Sequence, residues 1–187
     1  MALAISMLSQ ERTDVLKDAS IQYTGFGKLD YTARCSKCGK MNTWKALDAF
    51  RIRGNIICEH CGHSMHIVIA DSITHHADEN FRLLRQQKIA IWPMVNVVEE
   101  MRRAVPSIME DNVYFIDSAK LKQGAHFYNK IVQEPGVIDK EQIDTVFLTV
   151  TTSVATEIIE ELKSFPSVKR IFFAGDLFNP DFPALLS

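Results

Sequence analysis

Four short apolar runs alternate with helical patterns in the second half of the chain, and two Cys-x-x-Cys-Gly loops lie upstream of them. Together they predict an α/β protein: a small Rossmann-like parallel sheet with helices on both faces, plus an N-terminal β ribbon. Strands of a parallel sheet are covered on both faces, so they read as continuous apolar runs rather than as alternation. The bulk composition agrees. With 187 residues, 47% hydrophobic and 24% charged, the chain has the proportions of a soluble globular protein of one ordinary or two small domains. A formal net charge of −2 supplies no general attraction to nucleic acid or to an anionic membrane. No apolar run approaches the roughly 18 residues needed to cross a bilayer. The opening MALAISML lacks a basic flank and a small-residue cleavage site, which favours a cytoplasmic protein.

Taken in order, residues 1–27 are expected as a helical lead-in and residues 28–72 as the ribbon. Its strands are LDYTARC before the first loop, GNIICEHC into the second and HSMHIVIA after it, the last with a period of two. All four cysteines of the chain, Cys35, Cys38, Cys58 and Cys61, sit in the array C-x2-C-x19-C-x2-C. A Cys-x-x-Cys turn points two thiolates at one centre, and the following Gly39 or Gly62 can adopt the backbone angles of a tight turn. Two such loops facing each other offer four soft ligands in a tetrahedron, the closed geometry of structural zinc, and the spacing lies within the range of zinc sites. Iron in the same tetrahedron and a pair of disulfides are the competing readings. His60, His63 and His66 lie close by and are expected to flank the site rather than replace a cysteine. Arg34, Lys37, Lys40, Lys45, Arg51 and Arg53, with Trp44 and Phe50 among them, could in principle contact single-stranded nucleic acid. A solvated face is the plainer reading, and the charge balance argues against nucleic acid as a partner.

Residues 73–87 read as a polar linker leading into a helix, and residues 88–187 as the Rossmann-like domain. KIAIWPM (88–94), NVYFIDS (112–118), IDTVFLTV (143–150) and VKRIFFAGD (168–176) are the four strands. VNVVEEMRRAVPSIMED (95–111) and TTSVATEIIEELKSF (151–165) are helices. Ligands of such sheets sit beyond the carboxyl ends of the strands, where strand order reverses. That rule selects Asp117 and Lys122 after the second strand, Thr151, Thr152 and Ser153 after the third, and Asp176 after the fourth. Asp117 stands where an acid can accept from a ribose hydroxyl. The Thr-Thr-Ser run could cap a helix whose positive end seats an anion. The first turn, WPMVN, has no glycine, and Pro93 removes an amide donor, which argues against a dinucleotide.

DSAKLKQGAHFYNKIV, IDTVFLTVTTSVATEIIEELK and VKRIFF carry a resemblance. Residues 86–178 resemble the C-terminal Rossmann-like domain of bacterial sugar C-methyltransferases and related proteins of polysaccharide and nucleotide-sugar biosynthesis. The matching positions are Asp117, Lys122, Gln123, Gly124, Asp144, Glu157, Ile158 and Ile159. The family also begins with a cysteine-rich zinc-binding segment. The resemblance implies a domain that helps hold a nucleotide sugar or related small molecule. The family's central domain for the methyl donor is not found between ribbon and sheet domain, so methyl transfer is not expected of this chain alone. No Ser-His-Asp or Cys-His set can be assembled. The expectation is therefore a zinc-containing accessory or binding module of a sugar, glycan or small-molecule biosynthesis system, working with a catalytic partner or as the C-terminal part of a larger methyltransferase-type enzyme. The alternatives are a sugar-modifying transferase completed by a partner domain and a nucleic-acid-binding zinc-ribbon protein.

Overall fold

The computed structural model describes residues 20–25, 28–48, 53–68, 71–150, 153–179 and 181–186. Three antiparallel strands open it, β1 (Ser20–Gly25), β2 (Lys28–Arg34) and β3 (Met41–Asp48), in the order β1–β2–β3. A second hairpin follows, β4 (Arg53–Ile57) and β5 (Ser64–Val68). Each cysteine loop is the tip of one hairpin, joining β2 to β3 and β4 to β5. The expected helical lead-in is corrected in part. Residues 1–19 lie outside the described residues, but Ser20–Gly25 is a strand. Its SIQYTG sequence carries the β-branched and aromatic residues that suit pairing beside β2.

Helix α1 (Asp71–Arg82) leads to β6 (Ile89–Trp92), α2 (Val97–Ala104) and β7 (Val113–Ile116). The short strands β8 (His126–Phe127) and β9 (Lys130–Gln133) come next, then α3 (Val137–Glu141), β10 (Thr145–Leu148), α4 (Ser153–Leu162) and β11 (Arg170–Phe173). They form one sheet in the order β11–β10–β6–β7–β9–β8, parallel except where β8 runs antiparallel to β9. The four expected strands are β6, β7, β10 and β11, which lie side by side with β11 at one edge. The β8–β9 hairpin extends the edge beyond them.

Successive residues of a strand face opposite sides, and in the inner strands β6, β7 and β10 both sides are buried. Ile89, Ile91, Phe115, Phe147 and Phe172 join one buried cluster; Ala90, Trp92, Ile116, Val146 and Leu148 join the other. The second face is covered by α3 and α4 through Val137, Ile138, Ala155, Ile158 and Leu162. The first is covered by α1, α2 and two 3-10 turns near the end of the described chain, through Ala77, Phe81, Val98, Met101, Leu177 and Phe182. Phe147 lies at its centre, with ring centroids 5.5 Å from both Phe81 and Phe172.

Within residues 73–87, expected as a linker leading into a helix, α1 reaches to Arg82 and part of the span is buried. Alongside the buried Ala77, Phe81 and Leu84, two polar residues of α1 are also buried and satisfied. Asp78 accepts from the Ser107 amide (3.0 Å) and pairs with Arg82 (2.9 Å), and Asn80 donates to the Leu177 carbonyl (2.9 Å). The ribbon shares this core. Tyr31 and Ala33 of β2 belong to the same cluster as α1 and the first sheet face, with Trp44 and Ile56 packed against it.

Candidate metal centre

The two cysteine loops are built alike. In the first, the Cys35 amide donates to the Lys40 carbonyl and the Gly39 amide to the Cys35 carbonyl, both at 2.9 Å; in the second, Cys58 to His63 and Gly62 to Cys58 repeat those bonds and distances. Gly39 and Gly62 sit at φ 71° and 67°, in the left-handed region that a Cβ disfavours. The repeated Cys-x-x-Cys-Gly pattern thus encodes one local turn, used twice.

The turns bring all four sulfurs within 4.8 Å of one another. The Cys35–Cys61 and Cys38–Cys58 Sγ separations are both 3.7 Å. Four sulfurs arranged tetrahedrally at about 2.3 Å from a metal are about 3.8 Å apart, whereas a disulfide needs about 2.05 Å. The cysteines are free thiols at the spacing of ligands, and together they form a candidate metal-binding site. The donor set fits zinc, and four thiolates leave no coordination position open to a substrate. Cys35 and Cys58 are buried, while Cys38 and Cys61 face solvent. Burial pushes the Cys58 thiol up, but the amides of His60 and Cys61 and the neighbouring sulfurs together lower it to about 6. At Cys61 the His63 amide lowers the thiol, while burial and the other sulfurs prevail and raise it to about 12.

Cross-hairpin bonds align the two turns. Asn42 donates to the Lys40 carbonyl (3.0 Å) and accepts from the Glu59 amide (3.0 Å). Trp44 Nε1 donates to the Ile57 carbonyl at 3.3 Å, and His60 Nε2 lies 3.2 Å from the Met41 carbonyl. His60 therefore stands beside the sulfurs without joining them. The His66 side chain, Arg51, Phe50 and the Arg53 side chain lie outside the described residues. Of the basic cluster, Arg34 donates to the Gly39 carbonyl (2.7 Å), and Lys37, Lys40 and Lys45 are exposed. Trp44 packs near Tyr31, with ring centroids 5.9 Å apart.

At the carboxyl edge of the sheet, β6 lies between β7 and β10, so strand order reverses there. Bonds join the ends of β6 and β10 there: the Thr149 amide donates to the Trp92 carbonyl (3.0 Å), and its hydroxyl donates to the Pro93 carbonyl. Asp117 is only 4% exposed. Its carboxylate accepts from the Met94 amide (3.0 Å), the Ala119 amide (2.9 Å) and Lys122 Nζ (2.8 Å). Lys122 also donates to the Met94 carbonyl (2.7 Å) while keeping about half of its side chain in solvent (46%). Asp117 and Lys122 thus meet, as parts of one network that holds two edge loops together. Ser153 begins α4 and is exposed. Thr151 and Thr152 lie outside the described residues. Asp176 accepts from the Phe173 amide (2.8 Å) within its own turn, at the end of β11, two strands from β6. Sequence reasoning missed Asn42 and the Met94 amide, because an ordinary polar residue and a backbone donor carry no motif.

No family model, curated protein or solved structure matches the chain, and none therefore ties residues 86–178 to the sugar C-methyltransferases. Among the described residues, no helix is long and apolar enough to cross a membrane.

Proposed function

We propose that this chain is a zinc-carrying binding module, in which the ribbon is structural and the sheet domain presents its carboxyl edge to an anionic small molecule. The observation that carries this reading is the four-sulfur cluster, whose donor set closes a tetrahedron and leaves the metal no substrate position. A nucleotide sugar is the ligand class, on the resemblance of DSAKLKQG and the segments that follow it. Lys122 supports it as a cation at that edge that pairs with Asp117 and keeps about half of its side chain in solvent (46%). Asp117 and Asp176 both accept from backbone amides, which favours positioning over acid–base duty and makes the module an accessory to a catalytic partner.

Thermal shift with uridine and guanosine diphosphate sugars, S-adenosylmethionine and NAD tests the proposal on the zinc-loaded chain. A saturable shift with a nucleotide sugar is expected, weakened about tenfold by Lys122→Gln through loss of a charged hydrogen bond. NAD should give none, since WPMVN offers no glycine-lined cradle. A shift with S-adenosylmethionine alone would move the chain to the transferases. Steeply salt-dependent oligonucleotide binding would instead favour a nucleic-acid role.

A further inference from the structure

The geometry points to Asn42 as a buried residue that, beside the Trp44 and His60 contacts, positions the two cysteine loops for metal binding. This rests on the four-thiolate reading of the site and adds to it a residue that is not a ligand. Asn42 is the first residue after Met41 in β3 to turn inward, and it is 4% exposed. Its carboxamide bonds both loops at once. Nδ2 donates to the carbonyl of Lys40, the same carbonyl that closes the first loop by accepting from the Cys35 amide. Oδ1 accepts from the amide of Glu59, the residue that follows Cys58 in the second loop.

The chemistry of that position is demanding. One short planar group must donate on one side and accept on the other, which a carboxamide does. An alanine does neither, and an aspartate keeps the acceptor but faces the Lys40 carbonyl without a proton. Because each loop is already rigid through its own backbone bonds, their relative placement is what sets the cross-loop sulfur spacings of 3.7 Å. Groups outside the ligand set that orient ligands in this way typically change metal affinity by about 10–100-fold when removed.

The test uses the full chain as wild type, Asn42→Ala and Asn42→Asp. Zinc affinity is measured by competition with a chromogenic chelator, the ligand-field spectrum of the cobalt(II) form is recorded, and each metal-free form is melted. Both variants should bind zinc about 10–100-fold more weakly, with cobalt bands altered from those of the wild-type tetrahedron. If Asn42→Ala does not fold, Asn42→Asp, which keeps the size and the acceptor, carries the comparison. Wild-type zinc affinity and an unchanged cobalt spectrum in the variants, with only a lower melting temperature, would make Asn42 a packing residue and overturn the inference. A wild type that takes up no zinc would sink the metal reading, and this inference with it. Metal-binding wild type with indifferent variants sinks this inference alone.

Discussion

At the scale of single residues, the sulfurs and the Asp117 carboxylate make the sharpest predictions. Elemental analysis should find about one zinc per chain, as a closed four-thiolate site requires. Cys58→Ser should lose that zinc and unfold at lower temperature, because metal binding contributes directly to the folding of so small a ribbon. Acid should also release the metal, since protons compete for the sulfur lone pairs; a chelator-detected titration against pH reads this directly. A red, iron-containing protein would assign the site to iron instead. Asp117→Ala should cost about 2–3 kcal/mol in urea unfolding, because it strands two backbone amides and removes the charged partner of Lys122.

At the scale of elements, small polar clusters hold the edges of the sheet. Glu141 at the end of α3 accepts from Lys88 Nζ (3.2 Å) and the Tyr114 hydroxyl (3.1 Å), and Lys88 also donates to the Glu141 carbonyl (2.7 Å). These bonds, the Lys88 bond foremost, hold the Glu141 carboxyl below its ordinary 4.5. A depressed folded-state value contributes stability that is present above the unfolded value and lost as pH falls through the folded one. The stability gap between wild type and Glu141→Gln should therefore be full at neutral pH and shrink as pH falls below the ordinary carboxylate value; a gap that does not change with pH would rule out this linkage. On the other side, the β8–β9 hairpin is latched to α2 by Tyr128. Its hydroxyl donates to Glu99 (3.2 Å), and Arg102 lies 4.2 Å above its ring. Tyr128→Leu should loosen residues 126–133 in hydrogen exchange by about 1 kcal/mol, the scale of an exposed cation–π contact.

At the scale of the whole molecule, ribbon and sheet domain do not have separate cores. Tyr31 and Ala33 lie in the cluster that contains Phe81, Phe115 and Phe147, and β1 touches the 3-10 turn at Ala174–Phe178. Removing zinc should consequently lower the melting of the entire chain in one cooperative step, read alike by far-UV and near-UV circular dichroism. Two separated transitions, with the sheet domain melting at its original temperature, would show the ribbon to be an independent module. The shared core would also give a bound metal an effect beyond its own hairpins, since β2, which leads into Cys35, contributes Tyr31 and Ala33 to it.

The sequence by itself determined the parts whose causes are local. Each Cys-x-x-Cys-Gly loop is closed by bonds within six residues, so spacing and a glycine suffice to specify it. Strands β6, β7, β10 and β11 are short apolar runs, and they were legible for that reason. Only the tertiary structure decided what those pieces touch. The polar surface of DENFRLL reads as a linker until Asp78 and Asn80 find partners 29 and 97 residues away. Asp117 reads as a free acid until the Met94 amide, 23 residues earlier, reaches it. Asn42 has no signature at all, because its role exists only once Lys40 and Glu59 lie on either side of it. A polar side chain states that it needs a partner, and in a folded chain the partner is chosen by the packing of apolar residues elsewhere.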